Sequence, residues 1–181
     1  MPRVAIIGAG SVEFTRNVVA DLCSFPELAG QVTIALHDIN AERLAYSERA
    51  AASIVRRTGA GHRVEASAER RPAVDGADYV INEIQVGGYR ATVTDVEIPK
   101  KYGIRQTIAD TIGIGGIFRG LRTIPVMVGI GNDLHELAPD ALLLNYTNPM
   151  AMVPWAVYEG TPFANGVPSY TAHGTIAMGL A

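Results

Sequence analysis

The stretch Val4-Ala-Ile-Ile-Gly-Ala-Gly-Ser11 decides the fold. Its first four residues form a short apolar run, which is typical of a strand buried on both faces of a parallel sheet. Gly8 and Gly10 follow at once, and apolar residues at helical spacing begin at Phe14. A strand, a glycine turn and a helix in this order predict the start of a dinucleotide-binding domain. Glycines let the backbone approach a pyrophosphate, and the helix N-terminus offers it free N–H groups.

Asp38 is the second part of this predicted cofactor site, because it ends the next apolar run, 31–39. An acid at this position accepts hydrogen bonds from the adenosine ribose and repels a 2′-phosphate, which favours NAD over NADP. The motif is a variant, since Glu13 replaces the third glycine and Asp38 lies 30 positions after Gly8. The alternative is a glycine-rich turn beside a solvated Asp. The predicted cofactor-binding residues here are Gly8, Gly10, Ser11 and Asp38.

Strand and helix patterns alternate along the chain, which predicts an α/β fold with a doubly wound, Rossmann-like parallel sheet. Further strands are predicted at Arg63–Ala66, Tyr79–Val86 and Ala141–Asn145. Helices are predicted over 41–58, 91–103 and 116–137, with a loop over 104–114. We expect one NAD-binding domain over residues 1–158. Residues 159–181 have weak periodicity and are expected to be a divergent or truncated start of a C-terminal region.

Composition indicates small-molecule chemistry. The 181 residues are 48% hydrophobic and 18% charged, with a net charge of −3, so no basic field attracts nucleic acid or an anionic membrane. The single cysteine, Cys23, excludes an internal disulfide framework. The N-terminus reads directly into a strand and resembles neither a signal peptide nor a membrane span. We therefore expect a cytoplasmic protein with no nucleic-acid or membrane partner.

Polar residues cluster where predicted strands end. Asn82 and Gln85 lie at the carboxyl end of the fourth strand, Asp110 lies in a Gly- and Thr-rich segment, and Asn148 follows the last strand. In an open α/β sheet the ligand crevice lies outside the carboxyl ends of the strands. These side chains are therefore predicted to face cofactor and substrate. Turn formation by Asn and helix capping by Asp110 are the alternatives.

Three of these segments together resemble glycoside hydrolase family 4. They are Gln106–Pro125, which reads QTIADTIGIGGIFRGLRTIP, Gln85–Tyr89, which reads QVGGY, and Asn145–Met152, which reads NYTNPMAM. The resemblance extends from about Val4 to Tyr158 and is strongest to the α-galactosidase (melibiase) branch. Family 4 enzymes are NAD-dependent exceptions to the two-carboxylate glycosidase scheme.

The resemblance implies a fold like that of lactate and malate dehydrogenases, with NAD and a divalent metal, usually Mn²⁺, as cofactors. In the family, NAD⁺ takes hydride from the sugar 3-hydroxyl, and the ketone acidifies the C2 hydrogen, because the metal stabilises the enolate. A tyrosine base removes that proton, the aglycone leaves, water adds and hydride returns. The implied partner is a small-molecule glycoside, and homo-oligomers are expected for full-length relatives.

Site residues are implied by position. Asp110 matches the acid that raises the basicity of the catalytic tyrosine, and Asn148 matches the asparagine that contacts substrate near the metal. Asn82 and Gln85 are assigned to the cofactor. Thr92 stands where the phospho-glycosidase branch has an arginine that binds the sugar phosphate. The resemblance therefore implies an unphosphorylated α-galactoside as substrate. Arg90 lies close to this position and is the alternative phosphate ligand.

This sequence also departs from the family pattern. The segment 166–175 has no cysteine where relatives have a metal ligand, and His173 is not expected to replace it. The family's second metal ligand and its tyrosine base belong to a C-terminal half. We therefore expect no metal ligand in this chain, which looks like an N-terminal portion and is expected to be inactive alone. Three alternatives remain: a family 4 α-glucosidase or other α-glycosidase, a 2-hydroxy-acid dehydrogenase, and an inactive NAD-binding fragment.

Overall fold

The computed structural model describes residues 1–106 and 111–165. The chain divides into two compact units. Unit 1 contains Met1–Ile84 and Glu136–Leu144, and unit 2 contains Gln85–His135 and Asn145–Ala181. The predicted domain boundaries, 1–158 and 159–181, stay a prediction.

A five-stranded sheet contains the strands of the fold in the order β3-β2-β1-β4-β5. Its pairs β1–β2, β1–β4 and β2–β3 are parallel, and the Leu142 N–H donates to the Asp78 carbonyl at the β4–β5 edge. This order places the topological switch point between β1 and β4. The predicted Rossmann-like parallel sheet is confirmed. The strands are β1 (Arg3–Ile7), β2 (Thr33–His37), β3 (Arg63–Ser67), β4 (Tyr79–Asn82) and β5 (Leu142–Asn145).

The core of unit 1 lies on the central strands. Ala5 and Ile6 of β1 and Ile34 and Leu36 of β2 are at most 1% exposed, although successive side chains point to opposite faces. Both faces of these strands are therefore covered, which explains why their sequences are continuous apolar runs. Burial of each large aliphatic side chain contributes about 2 kcal/mol.

Six α-helices are present in the described residues. They are α1 (Val12–Cys23), α2 (Ala41–Thr58), α3 (Arg70–Val74), α4 (Gly88–Lys101), α5 (Gly113–Leu137) and α6 (Met152–Gly160). The predicted bounds of α2 are confirmed, and both ends have a clear cause. The Asn40 side chain accepts from the Arg43 N–H at 3.0 Å, and Gly59 ends the helix in the left-handed conformation at φ 68°.

The structure differs from the predicted elements in several places. α4 spans Gly88–Lys101 and not 91–103, and α6 was not predicted. β4 ends at Asn82 and not at Val86, because Gly87 and Gly88 both adopt positive φ and end the extended run. The short helix α3 was not predicted, since five residues are too few to show a helical period. α5 begins at Gly113, inside the segment predicted as a loop.

Among the described residues, only α5 is long and apolar enough to cross a membrane by length and composition. One third of its most apolar window is buried, and a core helix of a soluble protein meets the same criterion. The prediction that the protein has no membrane partner stays a prediction.

Candidate dinucleotide-binding site

The register of β1 and β2 brings the two parts of the predicted cofactor site together in unit 1. Ile7 lies opposite His37, so Gly8 and Asp38 are the next residues on neighbouring strands. The N–H groups of Gly8 and Ala9 both donate to the His37 carbonyl at 2.9 Å. α1 and a 3-10 helix at Pro26–Leu28 occupy the intervening chain. The long sequence spacing between Gly8 and Asp38 is therefore compatible with direct proximity.

Gly8 allows the turn to pass close to the end of β4. Its φ is +92°, and a Cβ there would lie 2.8 Å from the Ile84 backbone nitrogen and 2.9 Å from the Glu83 carbonyl carbon. Both contacts are with backbone, which cannot rotate away. Only glycine fits this position without displacing the chain.

Asp38 is fixed against the turn by backbone donors. Its Oδ2 accepts from the Gly10 N–H at 2.8 Å, and its Oδ1 accepts from the Asn40 N–H at 2.7 Å. A Cβ at Gly10 would lie 2.5 Å from Oδ2, so the close approach also requires glycine. Each carboxylate oxygen keeps further acceptor capacity, which a pair of ribose hydroxyls could use.

The N-terminus of α1 follows the turn directly. Ser11 occupies the N-cap position but makes no side-chain capping hydrogen bond, in contrast to Asn40 at the start of α2. The first N–H groups of α1 therefore lack a side-chain cap, and the positive end of the helix dipole lies at the turn. Together with the glycine turn and the Asp38 carboxylate, this arrangement fits the pyrophosphate and ribose of a dinucleotide.

Glu83 adds a buried carboxyl group to this site. Its Oε1 lies 2.7 Å from the Thr15 Oγ1, which in turn donates to the Ala9 carbonyl at 2.9 Å. Burial raises the pKa of Glu83 to about 7, opposed by the Thr15 hydrogen bond and assisted by the negative charge of Asp38. The sequence pattern did not single out Glu83 or Thr15. Glu83 lay inside the strand predicted at Tyr79–Val86, and only the end of β4 at Asn82 places it at the strand exit.

Asn82 and Gln85, both predicted to contact the cofactor, lie in different units. Asn82 is the last residue of β4, pairs with Ile7 and is completely buried in unit 1. Gln85 belongs to unit 2, where its side-chain amide donates to the Thr92 hydroxyl at 3.1 Å. Their assignment to the cofactor stays a prediction.

Asn148, the predicted substrate ligand, lies in unit 2 after β5. Its peptide bond to Pro149 is cis, and its carbonyl accepts from the Arg119 Nε at 3.0 Å. A Cβ at Gly120 would lie 3.3 Å from Pro149 Cγ, so α5 packs closely on this segment. Asp110 and His173 lie outside the described residues, and the proposed role of Asp110 stays a prediction.

An ion pair that the sequence did not indicate joins α4 and α5 within unit 2. Arg122 Nη2 and Nη1 donate to the two carboxylate oxygens of Asp95 at 2.6 and 3.1 Å, and its Nε donates to the Val86 carbonyl at 3.0 Å. Asp95 is 1% exposed. The carboxylate raises the pKa of the Arg122 guanidinium, mainly through the hydrogen bonds.

The described residues do not fit a metal ion. Within them, no three His, Cys, Asp or Glu side chains come together as a ligand set. His37 and His62 are buried beside the carbonyls of Ser67 and Leu22. Burial lowers the pKa of His37, although the Ser67 hydrogen bond opposes this. No chemical step is therefore derived through a metal.

Comparison with known proteins identifies the wider relationship. The model of the family 4 glycosyl hydrolases matches residues 3–181. The chain is 48% identical over 162 residues to an α-galactosidase from Bacillus subtilis (strain 168), and this match covers 89% of the chain but only 37% of the relative. The chain thus spans little more than a third of that protein's length.

Solved structures of family 4 glycosidases and of a dehydrogenase are also similar to this chain. A 6-phospho-α-glucosidase from gut microorganisms, in complex with NAD and Mn²⁺, matches with a TM-score of 0.75 and 26% identity, over 91% of this chain and 37% of that one. Lactate dehydrogenase from Eimeria maxima matches with a TM-score of 0.56 and 24% identity, over 92% of this chain and 41% of that one. The second match shows the fold alone and confirms the expected likeness to lactate dehydrogenase.

Proposed function

Because the chain belongs to glycosyl hydrolase family 4, we propose that it binds NAD at the turn between β1 and α1 and forms the redox part of an NAD-dependent α-galactosidase. The observation that carries this proposal is the joint geometry of Gly8, Gly10 and Asp38. A Cβ at Gly8 would meet the backbone of Glu83 and Ile84, and a Cβ at Gly10 would meet the Asp38 carboxylate. That carboxylate is held by the Gly10 N–H beside a helix N-terminus without a side-chain cap. When bound, NAD would accept hydride from the sugar and return it later in the cycle.

Each residue of the turn has a distinct task in this proposal. The N–H groups at the start of α1 bind the pyrophosphate, because they carry the positive end of the helix dipole. Asp38 binds the adenosine ribose and disfavours a 2′-phosphate at the same position. Ser11 lies between these two regions as the N-cap of α1.

The proposed substrate is an unphosphorylated α-galactoside. The 48% identity to the α-galactosidase supports galactose as the sugar of the substrate. The branch with phosphorylated substrates has an arginine at the position of Thr92. Thr92 accepts a hydrogen bond from the Gln85 side chain and brings no positive charge for a sugar phosphate. Asn148 is proposed to contact the sugar and Asp110 to support the catalytic base. The nearest alternative activity is that of an α-glucosidase or another α-glycosidase. The proposed location of the protein is the cytoplasm.

The NAD site is tested by the change Asp38→Ala. A hydrogen bond to a charged group contributes about 1.5–3 kcal/mol, so NAD affinity should fall roughly tenfold or more. The preference for NAD over NADP should fall at the same time, because the repulsion of the 2′-phosphate is removed. Isothermal titration calorimetry with each dinucleotide measures both effects.

The matched control is Asp75→Ala, which removes an exposed carboxylate from the turn before β4 in the same unit. It should leave both affinities unchanged. If Asp38 had only a structural role, its removal would lower the affinities for NAD and for NADP by the same factor. An unchanged ratio of the two affinities in Asp38→Ala would therefore refute the ribose assignment.

The second candidate function is NAD binding without turnover. It is supported by the described residues, which contain no metal ligand set, whereas the structure of the related 6-phospho-α-glucosidase holds Mn²⁺. We propose that the 181-residue chain by itself has this property. A 2-hydroxy-acid dehydrogenase is disfavoured, because the family match covers residues 3–181 and the dehydrogenase likeness is limited to the fold.

A further inference from the structure

The carboxyl group of Glu83 occupies an unusual position beneath the dinucleotide turn. Oε1 lies 2.7 Å from the Thr15 Oγ1, whereas Oε2 is buried and has no hydrogen-bond partner among the described residues. Thr15 itself is 1% exposed. A buried carboxylate oxygen without a donor is costly, and the cost is much smaller for a neutral carboxylic acid.

The number of protons on this network depends on Glu83. The Thr15 hydroxyl has one proton, but Oε1 of Glu83 and the carbonyl of Ala9 both lie within hydrogen-bond distance of Oγ1. If Glu83 is protonated, it donates to Thr15 and Thr15 donates to Ala9. If Glu83 is ionised, its carboxylate accepts the hydrogen bond of the Thr15 hydroxyl, and the Ala9 carbonyl keeps the hydrogen bond from Ser47.

The negative charge of Asp38 acts in the same direction, because it raises the pKa of Glu83. Asp38, at the end of β2, already places one carboxylate against Gly10. Other titratable groups on the adjoining elements are His37 of β2, which lies beside the Ser67 carbonyl, and the exposed Glu13, Arg16 and Asp21 of α1. Arg43 at the start of α2 is also exposed. An ionised Glu83 would add a second negative charge to that of Asp38, where an anionic pyrophosphate is proposed to bind.

We propose that Glu83 is a proton-dependent positioning residue: its protonated form holds the turn through Thr15 and Ala9, and its ionised form weakens binding of the dinucleotide. This inference rests on the proposed NAD site. By linkage, NAD then favours the protonated side chain, so binding takes up a proton and affinity falls as pH rises. The pKa of about 7 for Glu83 places this change in the neutral range.

The first experiment compares NAD affinity across pH in the wild type and in Glu83→Gln. Gln is neutral and can donate to Thr15, so it imitates the protonated acid. Calorimetric titration of NAD between about pH 6 and pH 8.5 should show the wild-type Kd rising roughly fivefold. The Glu83→Gln variant should keep the low-pH affinity throughout this range.

The matched control is Glu27→Gln, which removes one exposed carboxylate from the short helix before β2. It should retain the pH dependence of the wild type. If Glu83→Gln also retains that dependence, the inference is wrong. If NAD binds but the wild-type Kd does not change with pH, the inference is wrong and the proposed NAD site stands. Absence of NAD binding at every pH overturns both.

A second measurement uses only the wild-type chain, so it does not depend on the folding of a variant. Near pH 7, the NAD-binding enthalpy is measured in two buffers that differ in ionisation enthalpy. The inference predicts uptake of a fraction of a proton per NAD bound. Equal apparent enthalpies in the two buffers would show that no proton is taken up and would overturn it.

Discussion

Glu83 costs the folded chain free energy whenever it is ionised. Its pKa of about 7 exceeds the ordinary value of 4.5, so between these values the native state holds a proton that the unfolded chain has released. The free energy of unfolding therefore falls as pH rises from about 4.5 to about 7. The raised pKa makes this loss complete above pH 7.

We predict that Glu83→Gln stabilises the protein at alkaline pH and not at acid pH. One pKa unit corresponds to about 1.36 kcal/mol, and partial solvent screening reduces the full difference to about 2 kcal/mol. Urea unfolding at about pH 8 should show this gain, and the two proteins should be equally stable near pH 4.5. A gain that is the same at both pH values would contradict the assigned pKa.

The glycines of the turn show how one missing Cβ links sequence to site. Gly8 and Gly10 could be recognised in the sequence as a phosphate-type turn, and the structure gives each a specific reason. Gly8 is pressed against the backbone of Glu83 and Ile84, and Gly10 against the Asp38 carboxylate. Thr15 could not be recognised, because its partners Glu83 and Ala9 come from separate elements.

At the scale of elements, unit 2 depends on a charged contact between two helices. α4 contributes Asp95, and α5 contributes Arg122, whose guanidinium also binds the chain before α4 at Val86. The pair is strongly oriented by two parallel hydrogen bonds. Removing one partner leaves a buried charge without compensation.

We predict that Arg122→Met destabilises the protein by about 3 kcal/mol, because the Asp95 carboxylate stays buried and loses both donors. The control is Lys100→Met, which removes the exposed pair with Glu97 on α4 and should change stability by less than about 0.5 kcal/mol. Urea denaturation measures both. The double change Asp95→Asn and Arg122→Met should recover part of the loss. Equal effects of the two single changes would contradict this role.

For the whole molecule, binding of NAD and hydrolysis of a glycoside have different structural requirements. The chain contains the β1–α1–β2 segment that we propose as the NAD site, and its match covers 37% of the length of the Bacillus subtilis α-galactosidase. Cofactor binding depends on a local arrangement in unit 1. Glycoside hydrolysis by the family route needs further groups for the metal and for the proton at C2.

We predict that the 181-residue chain binds NAD but does not hydrolyse p-nitrophenyl α-galactoside in the presence of NAD⁺, Mn²⁺ and a reductant. The Bacillus subtilis α-galactosidase serves as the positive control in the same assay. Release of p-nitrophenol that depends on Mn²⁺ would overturn the proposal of binding without turnover. Selectivity for the α-galactoside over the α-glucoside would then identify the sugar.

The amino-acid sequence by itself determined the five strands, the alternation of strands with the longer helices, the parallel sheet, the glycine turn and the choice of Asp38. These features follow from local patterns: apolar period, glycine position and the residue at a strand end. Tertiary structure alone decided the register that places Asp38 beside Gly10, the burial of Glu83 beneath the turn and the pairing of Arg122 with Asp95. The physical reason is that burial and hydrogen-bond partners come from chain segments far apart in sequence, and these set both the pKa of a carboxyl group and the cost of a buried charge.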